Sequence, residues 1–505
     1  MNTVLHSLRS IFETLVSRPV LGFPIAGALM GGAFYTPYLW WAGMCGLTFF
    51  LLGLQDVPSR KQAFWYGSLA GTIKTLIASS WVWAVFPLDW MGDFGTIPQI
   101  FGIGWMWVTG SIAVGSSLGI FAYAIQPYLT HTFRYWIIPI AYVLSELLGS
   151  LFFSIIQYGP GGSVNIHTSF GYLGYTVAEH GILGFFAIGV GVYGLSLGIT
   201  LFALFLSIHV DRCRWSVEDA RYRFQFLILP LLILVTYFFP SLFHDQEMGI
   251  RVATVNTQYE NRFDLTRLEQ GDRIRHTIKA FEAALGSGSD IILFPETAEA
   301  LKVFGTPENV FDFIRSKTTD DLLVIDSDKL RDVIDGTSAV RAVMYDTKTN
   351  GVHSAYKKFL VPSGEYVPYQ LSIMMSVLGF SETKNALGEA LEFVPGTDTE
   401  RGVQTALPAV LFCSESVSPV QSFNVAREAA LPVIVHPVSH AWLNEPKMFW
   451  YQLDLMLRTQ ARFARLPIVQ ASNMALSHGY DAFGNPIQGE TIYETASTSV
   501  VVYEL

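Results

Sequence analysis

Hydrophobic residues fill the first half of this chain in long runs, and from about residue 249 they break into short blocks separated by polar segments. A helix that crosses roughly 30 Å of hydrocarbon needs about 20 mostly apolar residues. Seven stretches before residue 245 meet that need: 20–36, 38–54, 63–86, 98–126, 134–157, 181–208 and 224–243. The first two are short and meet at Thr36-Pro37. Beyond them, Ile250 to Val255, Asp290 to Phe294, 322–326, Val340 to Tyr345, Ala409 to Phe412, Pro432 to Val435 and Pro467 to Gln470 read as strands. Helical stretches at 271–286, 420–430 and 446–466 are interspersed among them. The pattern predicts a polytopic α-helical membrane bundle over residues 1–245 and an α/β layer domain over 246–505.

Composition agrees with lipid embedding: of 505 residues, 51% are hydrophobic and only 15% are charged. Charge placement then orients the bundle. Apart from Lys74, every basic residue before Arg251 lies in the N-terminal segment or in an even-numbered connection: Arg9, Arg18, Arg60, Lys61, Arg134, Arg212, Arg214, Arg221 and Arg223. Loops 87–97 and 158–180 carry none. The positive-inside rule therefore predicts a cytoplasmic N-terminus and an extracytoplasmic second half. No segment reads as a removable signal peptide. A net charge of -10 speaks against a nucleic-acid partner.

By this topology the three cysteines fall in three compartments: Cys45 in the second span, Cys213 in a cytoplasmic loop and Cys413 in the outer domain. A lone thiol in an oxidising space is either an inert buried side chain or a nucleophile. Cys413 follows the strand Ala-Val-Leu-Phe, Glu296 follows Ile-Ile-Leu-Phe-Pro, and Lys357 follows the strand ending at Tyr356. Functional groups of α/β folds gather at such strand ends. A thiolate can attack an ester carbonyl, a carboxylate can take its proton, and an ammonium can hold the oxyanion that forms.

The order Phe294-Pro295-Glu296-Thr297, then Tyr356-Lys357 running through Leu360-Val361-Pro362 to Gly364-Glu365-Tyr366-Val367-Pro368, then Cys413-Ser414-Glu415, resembles the nitrilase superfamily. Within it the chain is most similar to the membrane branch, the apolipoprotein N-acyltransferases. The runs Ala471 to Ser477, Leu144 to Leu147 and Gly191 to Ser196 extend the resemblance over about residues 20–500. It implies an αββα sandwich and a catalytic set of Glu296, Lys357 and Cys413, with no cofactor and no metal. It further implies a two-step transfer: a phospholipid acyl chain passes to the Cys413 thiol as a thioester, then to the N-terminal amine of a diacylglyceryl-cysteine lipoprotein, at the bacterial inner membrane. Glu365 matches a glutamate that holds the lysine, or is a plain ion-pair partner. Glu415, Ser414, Trp442 and Asn473 fall at supporting positions, with Glu415 equally able to be a second-layer acid and Asn473 a turn residue. His436, His440 and His478 share one region without a zinc-binding spacing.

Departures from the family pattern leave two competing functions open, a membrane-anchored amidase and a catalytically lapsed lipoprotein-binding protein. Ser414 stands where Tyr is usual, Ser363 where Phe is usual, and Val438-Ser439-His440-Ala441-Trp442-Leu443 keeps the Trp of a Ser-Asn-Asp-Ala-Trp-Phe run but not the Asn-Asp pair. The eighth span that family members carry after this domain is missing from the pattern. Two charges fall inside spans. Lys74, near the middle of the third, either meets a lipid headgroup or pairs with Glu146 or a carbonyl. Loop 158–180 is expected to fold back at the membrane surface. The apolar segment Tyr366 to Phe380 is either domain core or an arm that reaches into lipid.

Overall fold

The computed structural model describes residues 19–88, 95–215, 248–262, 265–331, 337–380, 393–396, 407–444 and 446–505. The expected span at 224–243 and the basic residues Arg9, Arg18, Arg221 and Arg223 lie outside them. The first half contains α1 (Pro19–Gly32), α2 (Trp40–Gln55), α3 (Arg60–Ala78), α4 (Thr96–Ile125), α5 (Arg134–Ile156) and α6 (Val192–Trp215). Among the described residues, four helical stretches are long and apolar enough to cross a membrane: Pro37–Gln55, Thr96–Tyr128, Arg134–Ile156 and Val192–Val210. Helix α1, at 14 residues, is shorter, and α3 carries Arg60, Lys61, Gln62 and Lys74.

Glycines set a close contact between helices α3 and α4. Gly67 and Gly71 on α3 face Gly115 and Gly119 on α4, and a Cβ at Gly71 would stand 2.5 Å from the Gly115 carbonyl oxygen. Such small-residue seams let backbones approach where lipid offers no hydrophobic drive to associate. Two expected spans end elsewhere than the apolar runs suggest. Helix α3 stops at Ala78, where Ser79 turns its hydroxyl back onto the Thr75 carbonyl at 2.6 Å and the chain continues as a 3-10 turn, Ser80–Val85. Lys74 therefore lies four residues before the end of its helix. The sixth run, expected from 181, becomes regular helix only at Val192, because Gly189 and Gly191 adopt left-handed φ of 81° and 63°.

Loop 158–180 does not stay at the surface. Its Tyr172, Leu173, Tyr175 and Val177 are buried in the core of the bundle. Three α5 side chains spaced by four hold it there: Glu146 accepts the Leu173 N–H at 2.8 Å, and Ser150 and Ser154 donate to the carbonyls of Thr168 and Asn165, each at 2.6 Å.

The second half is a four-layer sandwich. One sheet runs β11 (Glu490–Glu494), β12 (Thr498–Glu504), β1 (Arg251–Thr257), β2 (Ile291–Leu293), β3 (Leu323–Arg331), β4 (Ser338–Asp346) and β5 (Gly351–Tyr356). The other runs β6 (Ala409–Val410), β7 (Ile434–Ser439), β8 (Ile468–Asn473), β9 (His478–Tyr480) and β10 (Pro486–Ile487). The two meet where Thr257 pairs in parallel with Asn473. Alternate residues of the apolar strands serve both faces, as expected of strands covered on each side. Val252, Leu293, Val410, Val435 and Val469 fill the space between the sheets. Ala253, Ile292 and Val324 meet α7 (Arg267–Leu285) and α8 (Pro307–Lys317), while Ala409, Leu411 and Ile434 meet α10 (Pro419–Glu428) and α11 (Lys447–Ala464). Helix α11 also reaches the bundle: Leu455 and Met456 are buried in its core, and Gln452 Nε2 donates to the Ala78 carbonyl at 2.7 Å.

Candidate active site

Strand ends converge as the sequence pattern requires. Glu296 lies three residues past β2, Lys357 directly follows β5, and Cys413 opens a 3-10 turn, Cys413–Val417, after β6. The Lys357 backbone is fixed on both sides, its N–H donating to Val340 O and its carbonyl accepting from Gly396 N, both at 2.9 Å. Its ammonium, 1% exposed, donates to Glu296 Oε1 and Glu365 Oε1, each at 2.8 Å. Glu365 Oε2 accepts the Val361 N–H at 2.8 Å, so this carboxylate fixes its own loop while facing the lysine.

Burial raises the Glu296 carboxyl above its ordinary range, with the Lys357 charge acting in the opposite sense. Burial alone would discharge Lys357, but the carboxylates of Glu296 and Glu365 more than offset it and hold the ammonium above its usual value. Burial, then the charge of Glu296, pushes the Cys413 thiol well up, against the pull of Lys357 and the Ser439 backbone N–H. The thiol is thus protonated at rest, next to a carboxylate whose proton affinity is raised, with a fixed cation beside both.

The supporting positions divide by role. Glu415, 1% exposed, accepts the Lys358 N–H at 2.7 Å through Oε1 and the Phe412 N–H at 3.0 Å through Oε2. It ties the lysine loop to the cysteine loop and is held up to about 7 by burial. Ser414 donates to the Phe359 carbonyl and reinforces the same tie. Asn473 is fully engaged as a strap: Oδ1 accepts from Thr257 Oγ1 and Tyr259 N, both at 2.9 Å, and Nδ2 donates to Tyr259 O at 3.0 Å and Ser439 Oγ at 3.2 Å. Trp442 donates to the Ser439 carbonyl at 3.0 Å and presents its ring to the cavity. Thr297, Ser363 and Met474 occupy left-handed φ of 54°, 60° and 53° beside three of these groups. Strain of that kind persists where surrounding contacts over-determine the backbone.

Cys413 opens onto a cavity of about 120 Å³ lined by Phe359 to Pro362, Trp442 and loop residues Ser163, Asn165 and Thr168. A second cavity of about 290 Å³ lies between α3, α4 and α5, and the two share Trp81, Phe153, Gln157, Thr168, Phe170, Val361, Pro362 and Trp442 in their walls. Segment 366–380 belongs to neither domain core nor solvent. Its helix α9 (Tyr369–Val377) packs Leu371, Met374 and Met375 against Leu88 and Met106 of the bundle, and leaves Ile373 and Val377 63% and 79% exposed. Sequence reasoning missed Gln157 and the loop residues and named Ser439 only within the altered 438–443 run; the spacing of Glu146, Ser150 and Ser154 on one helix face is the signal that could have found the docked loop.

Comparison with known proteins adds identity to this geometry. No curated protein matches the chain. Among solved structures, the crystal structure of Saccharomyces cerevisiae Nit3, a member of branch 10 of the nitrilase superfamily, is similar with a TM-score of 0.34 and 12% identity, covering 51% of this chain and 89% of Nit3. Residues 26–205 match the family described as the apolipoprotein N-acyltransferase N-terminal domain, the family that the sequence resemblance pointed to.

Proposed function

We propose that the protein transfers an acyl chain from a membrane phospholipid, through a thioester on Cys413, to the N-terminal amine of a diacylglyceryl-cysteine lipoprotein. The observation that carries this reading is the buried set of Glu296, Lys357 and Glu365, whose charges act on Cys413, together with the chamber onto which Cys413 opens and whose walls continue into an apolar cavity of the membrane bundle. Glu296 takes the thiol proton as sulfur attacks the ester carbonyl, and the ammonium of Lys357 faces the developing oxyanion. Collapse breaks the ester C–O bond, Glu296 returns the proton to the departing alcohol, and lysophospholipid leaves. The lipoprotein amine then attacks the thioester, gives a proton to Glu296 and expels the thiolate, which is reprotonated from Glu296. In this reading residues 1–245 are the embedded part and 246–505 the catalytic domain, and the distribution of basic residues supports an outer-side domain at the inner membrane.

Incubating full-length protein with a labelled phospholipid tests it. A thioester on Cys413 that a diacylglyceryl lipopeptide discharges to its amine supports transfer. Discharge by water at the same rate with or without lipopeptide identifies a hydrolase, and the absence of any adduct identifies a catalytically lapsed protein.

A further inference from the structure

The larger cavity changes character along its length. Near the Cys413 chamber its walls are apolar, with Val82, Val85, Ile103, Met106, Leu371 and Met375. Further along the helices it is lined by Lys74, seven residues before the shared Trp81, and by Glu146 and Tyr142, which precede the shared Phe153 on α5, with Ser111 on the facing α4 wall, all buried. The lining reaches no further along these helices than Gly71 on α3, Leu118 on α4 and Tyr142 on α5. Ser111 Oγ, Tyr142 OH and Glu146 Oε2 have no hydrogen-bond partner in the protein. No ion pair among the described residues joins Lys74 to Glu146, although both face the cavity. Buried polar atoms without a partner are costly, and a methyl group brought against them cannot satisfy them.

We propose that Lys74, with Tyr142 and Glu146, forms a polar floor that sets the length of the acyl chain Cys413 accepts. The inference rests on the acyl transfer proposed above. A chain held on Cys413 passes Trp442 and Pro362, runs down between α3 and α4 along the apolar walls, and ends where its methyl meets the buried ammonium. Chains that stop short leave apolar wall uncovered; chains that run long press methylenes against Lys74 and Glu146. Each methylene that finds apolar wall strengthens preference about fourfold, and each one beyond the floor gains nothing and meets polar atoms it cannot satisfy.

The test offers full-length protein in lipid nanodiscs an equimolar mixture of phospholipids with graded saturated chains. The thioester on Cys413 is weighed by intact mass spectrometry. Wild type is expected to give a distribution peaked at one length. Lys74→Ala, which removes the ammonium and its stem, shifts the peak to longer chains. Ser111→Leu, which fills space above the floor, shifts it to shorter ones and keeps the test open where loss of the buried cation impairs folding. A peak that stays in place in both variants, or loss of all lengths in equal proportion, overturns the floor. A wild-type protein that acquires no chain of any length sinks the underlying transfer instead.

Discussion

Glu415 accepts the backbone N–H of Lys358 at 2.7 Å, so the turn that presents the Cys413 thiol is tied to the loop that presents the Lys357 ammonium. Its second oxygen holds Phe412 N, immediately before the cysteine. The sequence left this residue balanced between a role in the site and a place in its surroundings; the geometry makes it the strap between two functional loops.

Replacing Glu415 with Gln keeps one acceptor oxygen and turns an amide N–H towards a backbone donor. Leaving a buried donor unsatisfied costs about 1–3 kcal/mol. Glu415→Gln is expected to lower the melting temperature and to slow thioester formation while leaving Cys413 present and free. A variant with wild-type melting and wild-type rate would show that the strap is dispensable.

Lys357→Met leaves Glu296 and Glu365 facing each other without the cation between them. Breaking a buried pair in this way destabilises by about 3–5 kcal/mol, and losing an oxyanion partner lowers the rate about 10²–10³-fold. Quenched-flow measurement of acyl-enzyme formation separates the two effects, since the rate loss persists at temperatures where the variant is still folded. Formation at the wild-type rate would remove Lys357 from the oxyanion role.

Alkylation of Cys413 tests the state of its thiol. Burial, with the carboxylates of Glu296 and Glu365, holds the proton on sulfur well above the ordinary thiol range. Iodoacetamide is therefore expected to react slowly at neutral pH and faster only as the solution becomes strongly alkaline, and Lys357→Met should slow it further by removing the charge that favours thiolate. Rapid alkylation at neutral pH would contradict the resting thiol.

Stability should depend on pH in a particular direction. Burial raises Glu415 from 4.5 and Asp326 from 3.8, each to about 7. Between those unfolded and folded values the native state retains protons that the unfolded chain releases. Their contribution is fully present below the unfolded values and is lost as pH rises through about 7. The melting temperature in detergent is expected to fall over that interval, and Asp326→Asn to flatten the slope at some overall loss, because Asp326 also accepts the N–H groups of Leu301 and Ser327, both at 2.8 Å.

Helix α9 should matter most when the substrate lies in a bilayer. Gly159 abuts the segment leading into it, and a Cβ there would stand 3.0 Å from Pro368 Cα, a backbone atom that cannot swing aside. Gly159→Ala is expected to raise KM for phospholipid in vesicles more than it lowers kcat. Equal effects on both constants would place the defect in the chemistry rather than in donor access.

Strand ends were the legible part of the molecule. Apolar runs such as Ile291 to Phe294 and Ala409 to Phe412 announce strands buried on both faces, and the polar residue that follows each must sit at the sheet's edge, where Glu296 and Cys413 are found. Hydropathy could not show what meets what. Residues 181–191 are as apolar as a span, yet two left-handed glycines keep them out of α6. Glu146 suggested a partner for Lys74, but its Oε1 is committed to the N–H of Leu173, 27 positions away in a loop whose Gly and aromatic content gave no sign that it re-enters the bundle. The docking of α9 on α4 was equally hidden, because a helix with apolar residues all round fits a core and a membrane-facing arm alike.

Helix α11 has a practical consequence. Its Leu455 and Met456 are buried among bundle side chains, and Phe449 packs on Trp81 with ring centroids 4.7 Å apart. Severing the chain ahead of β1 would strip those residues of their cover and present a greasy flank to water. A truncated, detergent-free preparation is therefore expected to precipitate, and biochemical reconstitution has to begin from the intact polypeptide.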